Sequence, residues 1–147
     1  MRFLVEGGRP LRGTIRPSGN KNAALPIVAA TLLTEHPVML TNVPRIRDIE
    51  ILVELIATTG AEARWTGPSE LLVHARSVSA RALDLEMCKK IRGSILLAAP
   101  LLARCGEVTL SPPGGDVIGR RRLDTHILAL EQLGANHVLS DVITFRT

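Results

Sequence analysis

The chain has 147 residues, one domain's worth, with 46% apolar residues but only two Phe, one Trp and no Tyr, so its core must be aliphatic. Lys plus Arg total 18 against 14 Asp plus Glu, a net charge of +4; that excess suits anionic small molecules, and nucleic acid is disfavoured because no aromatic stacking platform accompanies the charge. Cys88 and Cys105 have neither metal-ligand spacing nor disulfide density, the N-terminus lacks an apolar signal core, and no apolar run reaches spanning length, which argues against a metal site, a disulfide scaffold and a membrane helix and for a soluble cytoplasmic protein.

Taken in order, Arg2 to Glu6 and Leu11 to Arg16 read as short strands around Gly7-Gly8, a predicted hairpin. Ser18, Gly19 and Asn20 are cap-type residues ahead of an Ala/Leu/Ile/Val run, which predicts a buried helix. Pro26 is expected to be tolerated because the first amides of a helix lack intrahelical acceptors. Lys21 and Asn22 then fall at the helix N-terminus, where free amides and the dipole favour an anion. A lysine there opposes the dipole, and its presence is easier to understand if an anion sits nearby; the plain alternative is an exposed lysine beside a turn.

VMLTNV after Pro37 reads as a strand, and Arg47 to Thr59 as an amphipathic helix with Ile49, Leu52, Val53 and Ile56 at helical spacing, stopped by Gly60. Residues 61–65 and 71–75 predict a hairpin turning on Gly67-Pro68, followed by a connector over 76–84. A long helix is predicted from about Leu85 to Arg104, then a strand over Glu107 to Ser111. Next comes SPPGGDVIGRRRLD, where two prolines and two glycines make a shaped loop. It carries one carboxylate, Asp116, on a glycine hinge beside Arg120, Arg121 and Arg122, a pattern suited to moving a proton while holding an anion. A helix from Leu123 to Leu133, Gly134, and a hairpin over 136–139 and 142–146 complete the chain.

This order repeats. Val38-Met39-Leu40-Thr41 matches Val108-Thr109-Leu110-Ser111 at an offset of 70, and Gly60-Ala61 matches Gly134-Ala135 at an offset of 74. The four extra residues fall in the loop that carries Asp116. The offsets set Asn22 opposite Arg92 and Arg47 opposite Arg121, so a duplicated unit would gather Lys21, Asn22, Arg92, Asp116 and Arg121 at one mouth.

Beside that reading stand specific motifs. SGNKNAALP, KKIRGS, PPGGDVIGRRRLDTH and the helix ends at Thr59-Gly60-Ala61 and Leu133-Gly134-Ala135 resemble the UDP-N-acetylglucosamine 1-carboxyvinyltransferases, enolpyruvyl transferases of the EPSP synthase superfamily. The resemblance runs through essentially the whole chain in order. It implies an α/β fold, a repeat-built inside-out barrel that is incomplete here: residues 1–20 as a hairpin normally belonging to the other domain, then two repeats over about 21–75 and 85–147. The third unit, most of the other domain and the residue that deprotonates the sugar hydroxyl are expected to lie beyond the match.

The activity implied is transfer of the enolpyruvyl group of phosphoenolpyruvate to the 3-hydroxyl of UDP-N-acetylglucosamine, the first committed step of peptidoglycan precursor synthesis, without a cofactor. Lys21 and Asn22 fall on the phosphoenolpyruvate-contacting pair, Arg92 on an arginine that binds substrate charge, and Arg121, Arg122, Leu123, Asp124 and Thr125 on the segment that contacts the UDP-sugar. Fixed cations would hold two charged substrates and stabilise charge moving onto phosphate. The rival reading is a truncated, non-catalytic nucleotide-sugar-binding or assembly module, and self-association or a second chain completing the fold is the partner expectation. Arg122 stands where a proline is common, which leaves that backbone less rigid. Asp116 replaces a proton-donating cysteine present in many members.

A carboxyl can donate that proton if its pKa rises from about 3.9 towards neutrality, but it is a poorer nucleophile than a thiolate. A complete enzyme with this loop is therefore expected to turn over and to resist fosfomycin, which alkylates the cysteine-bearing members. Asp116→Cys should keep turnover and gain time-dependent inactivation, and Asp116→Asn should lose turnover. Mass spectrometry after drug treatment checks this: an adduct on Asp116, or full activity in Asp116→Asn, would overturn the assignment.

Overall fold

The computed structural model describes residues 2–8, 10–112, 114 and 122–147. Residues 2–8 and 10–20 form neither helix nor strand, so the expected N-terminal hairpin is not made. Phe3, Leu4, Val5, Leu11 and Ile15 are 78–97% exposed; with nothing covering one face, a two-stranded ribbon is marginal in water.

Regular structure starts at α1 (Lys21–Ala30), where the Asn20 side chain accepts a hydrogen bond from the Ala23 amide at 3.0 Å. Gly19 is required just before it, because a Cβ there would fall onto the Asn42 carbonyl oxygen. Pro26 lies inside the helix, one turn deeper than the orphan amides, and deletes the bond that would return to the Asn22 carbonyl. A 3₁₀ turn (Thr31–Leu33), β1 (Val38–Leu40), α2 (Arg47–Thr58), β2 (Glu62–Gly67) and β3 (Glu70–His74) follow.

The second half holds a 3₁₀ turn (Ala80–Ala82), α3 (Leu85–Cys88), a 3₁₀ run (Arg92–Leu97), α4 (Ala98–Cys105), β4 (Glu107–Leu110), α5 (Asp124–Gln132), β5 (Asn136–Leu139) and β6 (Ile143–Arg146). The single helix expected over 85–104 is thus broken after Cys88. Ser94 Oγ lies 2.9 Å from the carbonyl oxygens of both Cys88 and Ile91 and satisfies the backbone at the break. Gly93 next to it weakens a continuous helix. As a result Arg92 opens a new helical run instead of sitting mid-helix.

Each half builds a three-stranded antiparallel sheet of the same order, β1-β3-β2 and β4-β6-β5. Val38 pairs with Val73 and Leu40 with Leu71 in one; Val108 pairs with Phe145 and Leu110 with Ile143 in the other. Gly60 and Gly134 close the equivalent helices α2 and α5 at φ +98° and +96°. The halves share one aliphatic core. Val28 and Leu32 from α1 and its 3₁₀ extension, Leu52 and Ile56 from α2, and Leu97 and Leu101 from the second half are all fully buried in it. The two equivalent helices differ sharply, however: α2 buries six side chains, whereas α5 buries Leu130 alone.

Arg104 ties the halves together. Its guanidinium donates to the carbonyl oxygens of Leu32 at 2.8 Å, Ala75 at 3.2 Å and Arg76 at 3.3 Å, with Glu35 Oε1 at 3.5 Å and only 16% of the side chain exposed. Arg104→Met should keep the stem packing but strand these carbonyls, at a cost of about 1–3 kcal/mol; urea unfolding with an unchanged midpoint would count against that role.

The thiols provide a second check. Cys88 is buried and its thiol is pushed from 9.0 up to about 11, first by burial and then by the Asp84 carboxylate, while Cys105 is exposed. One thiol should therefore react with iodoacetamide in the native chain and the second only on unfolding. The sign follows from linkage: an unfolded thiol ionises near 9.0 while the folded one stays protonated to about 11, so stability is retained below pH 9 and falls as pH climbs through that window. Equal labelling of both thiols, or stability flat across the window, would contradict it.

Candidate functional site

Four helical segments begin at one cavity of about 290 Å³, lined by Lys21 and Asn22 of α1, Asp48 of α2, Arg92 of the 3₁₀ run and His126 of α5. Each is a first-turn residue. Leu25, Ile95 and Leu96 supply an apolar floor. Helix starts present backbone amides without intrahelical acceptors and the positive end of the dipole, and here they surround two fixed cations. That arrangement receives a multiply charged anion and holds it by directional N–H donors.

Local contacts fix the walls. Lys21 Nζ donates to Asp48 Oδ2 at 2.9 Å, joining the first turns of α1 and α2, with the two side chains 47% and 41% exposed. Arg92 is half-buried and its Nη2 donates to the Arg122 carbonyl at 3.1 Å, joining the 3₁₀ run to the segment before α5. Arg122 in turn pairs through its side chain with Asp124. Gly93 is small enough to let Leu25 approach, a Cβ there coming within 3.1 Å of Leu25 Cδ2.

Lys21, Asn22 and Arg92, predicted from sequence, therefore share one wall. Arg122 meets Arg92 alone among these, through its backbone carbonyl, and Leu123 is half-buried at the start of α5. Asp124 and Thr125 line a neighbouring hollow of about 400 Å³ with Ile127, Leu128 and His137 instead. Asp116 and Arg121 lie outside the described residues, as does Arg120. Of the residues flanking Asp116, Ser111 is buried, and a Cβ on Gly114 would fall onto the Lys89 carbonyl oxygen.

Sequence reasoning did not reach Asp48 or His126. Asp48 offered only an acid in the first turn of an amphipathic helix, the usual place for one. His126 offered its position directly after the arginine-rich segment. A larger cavity of about 610 Å³ lies between residues 78–85 and β4, where the 3₁₀ turn at Ala80 and α3 at Leu85 begin, but Lys21, Asn22 and Arg92 all line the smaller one, which is therefore the candidate site. Among the described residues no group of three or more His, Cys, Asp or Glu is placed to hold a metal ion, and no helix is long and apolar enough to cross a membrane.

Comparison with known proteins follows the same lines. The pattern of the family described as EPSP synthase (3-phosphoshikimate 1-carboxyvinyltransferase) matches residues 5–143. The chain is 66% identical over 146 residues to the UDP-N-acetylglucosamine 1-carboxyvinyltransferase of Bradyrhizobium diazoefficiens, covering 99% of this chain and 34% of that one. It is 49% identical over 143 residues to the protein of the same name from Treponema pallidum, covering 97% and 34%. Among solved structures, the enolpyruvyl transferase NikO from Streptomyces tendae superposes with a TM-score of 0.75 at 27% identity, over 96% of this chain and 31% of that one. The chain thus spans about a third of the length of the curated relatives it matches.

Proposed function

The chain belongs to the EPSP synthase family, and on that premise we propose that it forms the anion-holding part of an enolpyruvyl transferase that moves the enolpyruvyl group of phosphoenolpyruvate onto the 3-hydroxyl of UDP-N-acetylglucosamine. The observation that carries the reading is the meeting of Lys21, Asn22 and Arg92 at one cavity ringed by helix starts. The names of the relatives in Bradyrhizobium diazoefficiens and Treponema pallidum support the choice of substrates.

The proposed roles follow from the chemistry of each group. The Lys21 ammonium and the Asn22 amide donate to phosphoenolpyruvate, and the Arg92 guanidinium meets charge shared between the substrates. Arg121 to Thr125 bind the nucleotide-sugar, with Asp124 and Thr125 opening onto the adjoining hollow. Asp116 protonates the methylene carbon of the enolpyruvyl group, making the adjacent carbon electrophilic toward the sugar oxygen, whose own proton passes to a base contributed from outside this segment; loss of phosphate together with one proton of the new methyl group then restores the enol ether. When phosphate later leaves, the negative charge gathering on it is met by donors already in place, which lowers the barrier without reorganisation.

The reading divides the chain as 1–20, contributed to another domain, and two repeats over about 21–75 and 85–147. It also includes association. Leu128 and Leu133 on α5 and its C-terminus are 54% and 83% exposed, and further units of the transferase, or another copy of the chain, are proposed to cover them. Both substrates are charged metabolites, so the proposed compartment is the cytoplasm.

Charge-removing substitutions test the site. In the full-length protein that contains this segment, Lys21→Ala and Arg92→Ala are each expected to weaken phosphoenolpyruvate or UDP-sugar binding by about 1.5–3 kcal/mol, the range for a hydrogen bond to a charged group. Calorimetry showing both affinities unchanged in both variants would rule the site out. Affinity lost without any wild-type turnover would instead favour a binding module.

A further inference from the structure

The Lys21–Asp48 contact is poorly explained as a stabilising device. Both partners are close to half exposed, and an exposed ion pair contributes little to stability. For binding an anion it is counterproductive, because the carboxylate offsets one of the two fixed cations on the cavity wall and repels an incoming phosphoryl group. Yet the two residues lie 27 positions apart, on different helices, and both face the same cavity.

Resting on the transferase reading above, we propose that Asp48 is a positioning residue for the transfer step, which fixes the direction of the Lys21 ammonium at the cavity mouth. Lysine carries its charge on a flexible four-carbon stem, and holding it in one rotamer costs conformational entropy. At the first residue of α1 the dipole opposes its charge, so the ammonium has no local reason to stay over the cavity. Asp48 has the opposite situation: an acid in the first turn of α2 is favoured by its own helix and makes a fixed anchor. An ammonium has three N–H donors. One goes to Asp48 at 2.9 Å, and the other two are then aimed as a pair, able to meet oxygens of a phosphoryl group without breaking the first.

The sign of the effect follows. Repulsion between Asp48 and a bound anion acts from the moment the substrate enters, so it opposes binding. Orientation matters most when charge collects on the departing phosphate, so it favours turnover. The carboxylate should therefore raise kcat while leaving affinity unimproved, which is the opposite of what a simple binding residue does.

Steady-state kinetics on the full-length protein containing this segment, with Asp48→Ala and Asp48→Glu, test it. Asp48→Ala is expected to lower kcat on the order of 10-fold or more, as for a small misplacement of a catalytic group, with KM and Kd for phosphoenolpyruvate unchanged or lower. Asp48→Glu, which keeps the carboxylate on a stem one methylene longer, should recover most of kcat. Alanine is a good helix former, so thermal melting should show both variants folded. If Asp48→Ala matches the wild type in kcat, or loses affinity and turnover together, the positioning role is overturned while the transferase reading stands. If the wild type neither binds phosphoenolpyruvate nor turns over, the transferase reading fails and this role fails with it.

Discussion

One shared core governs this molecule. Each half has a three-stranded sheet and helices whose apolar faces exceed what that sheet can cover. Burial of apolar area is the dominant favourable term in folding, at about 25 cal/mol per Å², so neither half is well served alone. The solution is to set the helices of both halves against one another, with Leu32, Leu52, Ile56, Leu97 and Leu101 removed from water at the join. Arg104 secures the same seam with backbone acceptors from the other half. Among the described residues Phe145 is the one fully buried aromatic, so the fit is made from Leu, Ile, Val and Ala.

That packing decides where chemistry can occur. Since the halves repeat the same order of elements, the helices they contribute also start at the same end, and their unpaired amides meet around one opening. Such an end is difficult to bury unless something satisfies it. Asn20 caps α1, Asp48 occupies the start of α2, and the Arg92–Arg122 contact closes the side towards α5. The remaining amides are those that the proposed anion would meet. The site is thus a by-product of building one core from two similar pieces, refined by a few charged side chains.

Much of this was legible in the residues because it rests on local rules. The cap before Lys21, the glycines at 60 and 134, the period of Ile49, Leu52 and Ile56, and the matched strands at 38 and 108 all act within a few positions of themselves, and the structure follows them. What was missed depends on contacts distant in sequence. The run from Leu85 to Arg104 has helical composition, and only the Ser94 hydroxyl folded back on Cys88 and Ile91 reveals the break. Short apolar segments around Gly7-Gly8 resemble a hairpin, yet pairing needs a covered face that these residues do not find here. Asp48 has no sequence mark beyond its helix position; its place beside Lys21 exists only once α1 and α2 are packed.

The unequal burial of α2 and α5 bears on how the cavity meets its ligand. Local opening is easiest where few apolar side chains must be re-exposed to water. One wall of the cavity therefore rises from a segment anchored by six buried side chains and the other from a segment anchored by one. A ligand that bridges Lys21 and the start of α5 fastens the looser wall to the firmer one, and part of its interaction energy offsets the entropy lost in that ordering. For the proposed anion, affinity would then depend on how freely α5 opens beforehand as well as on the charges that greet the ligand.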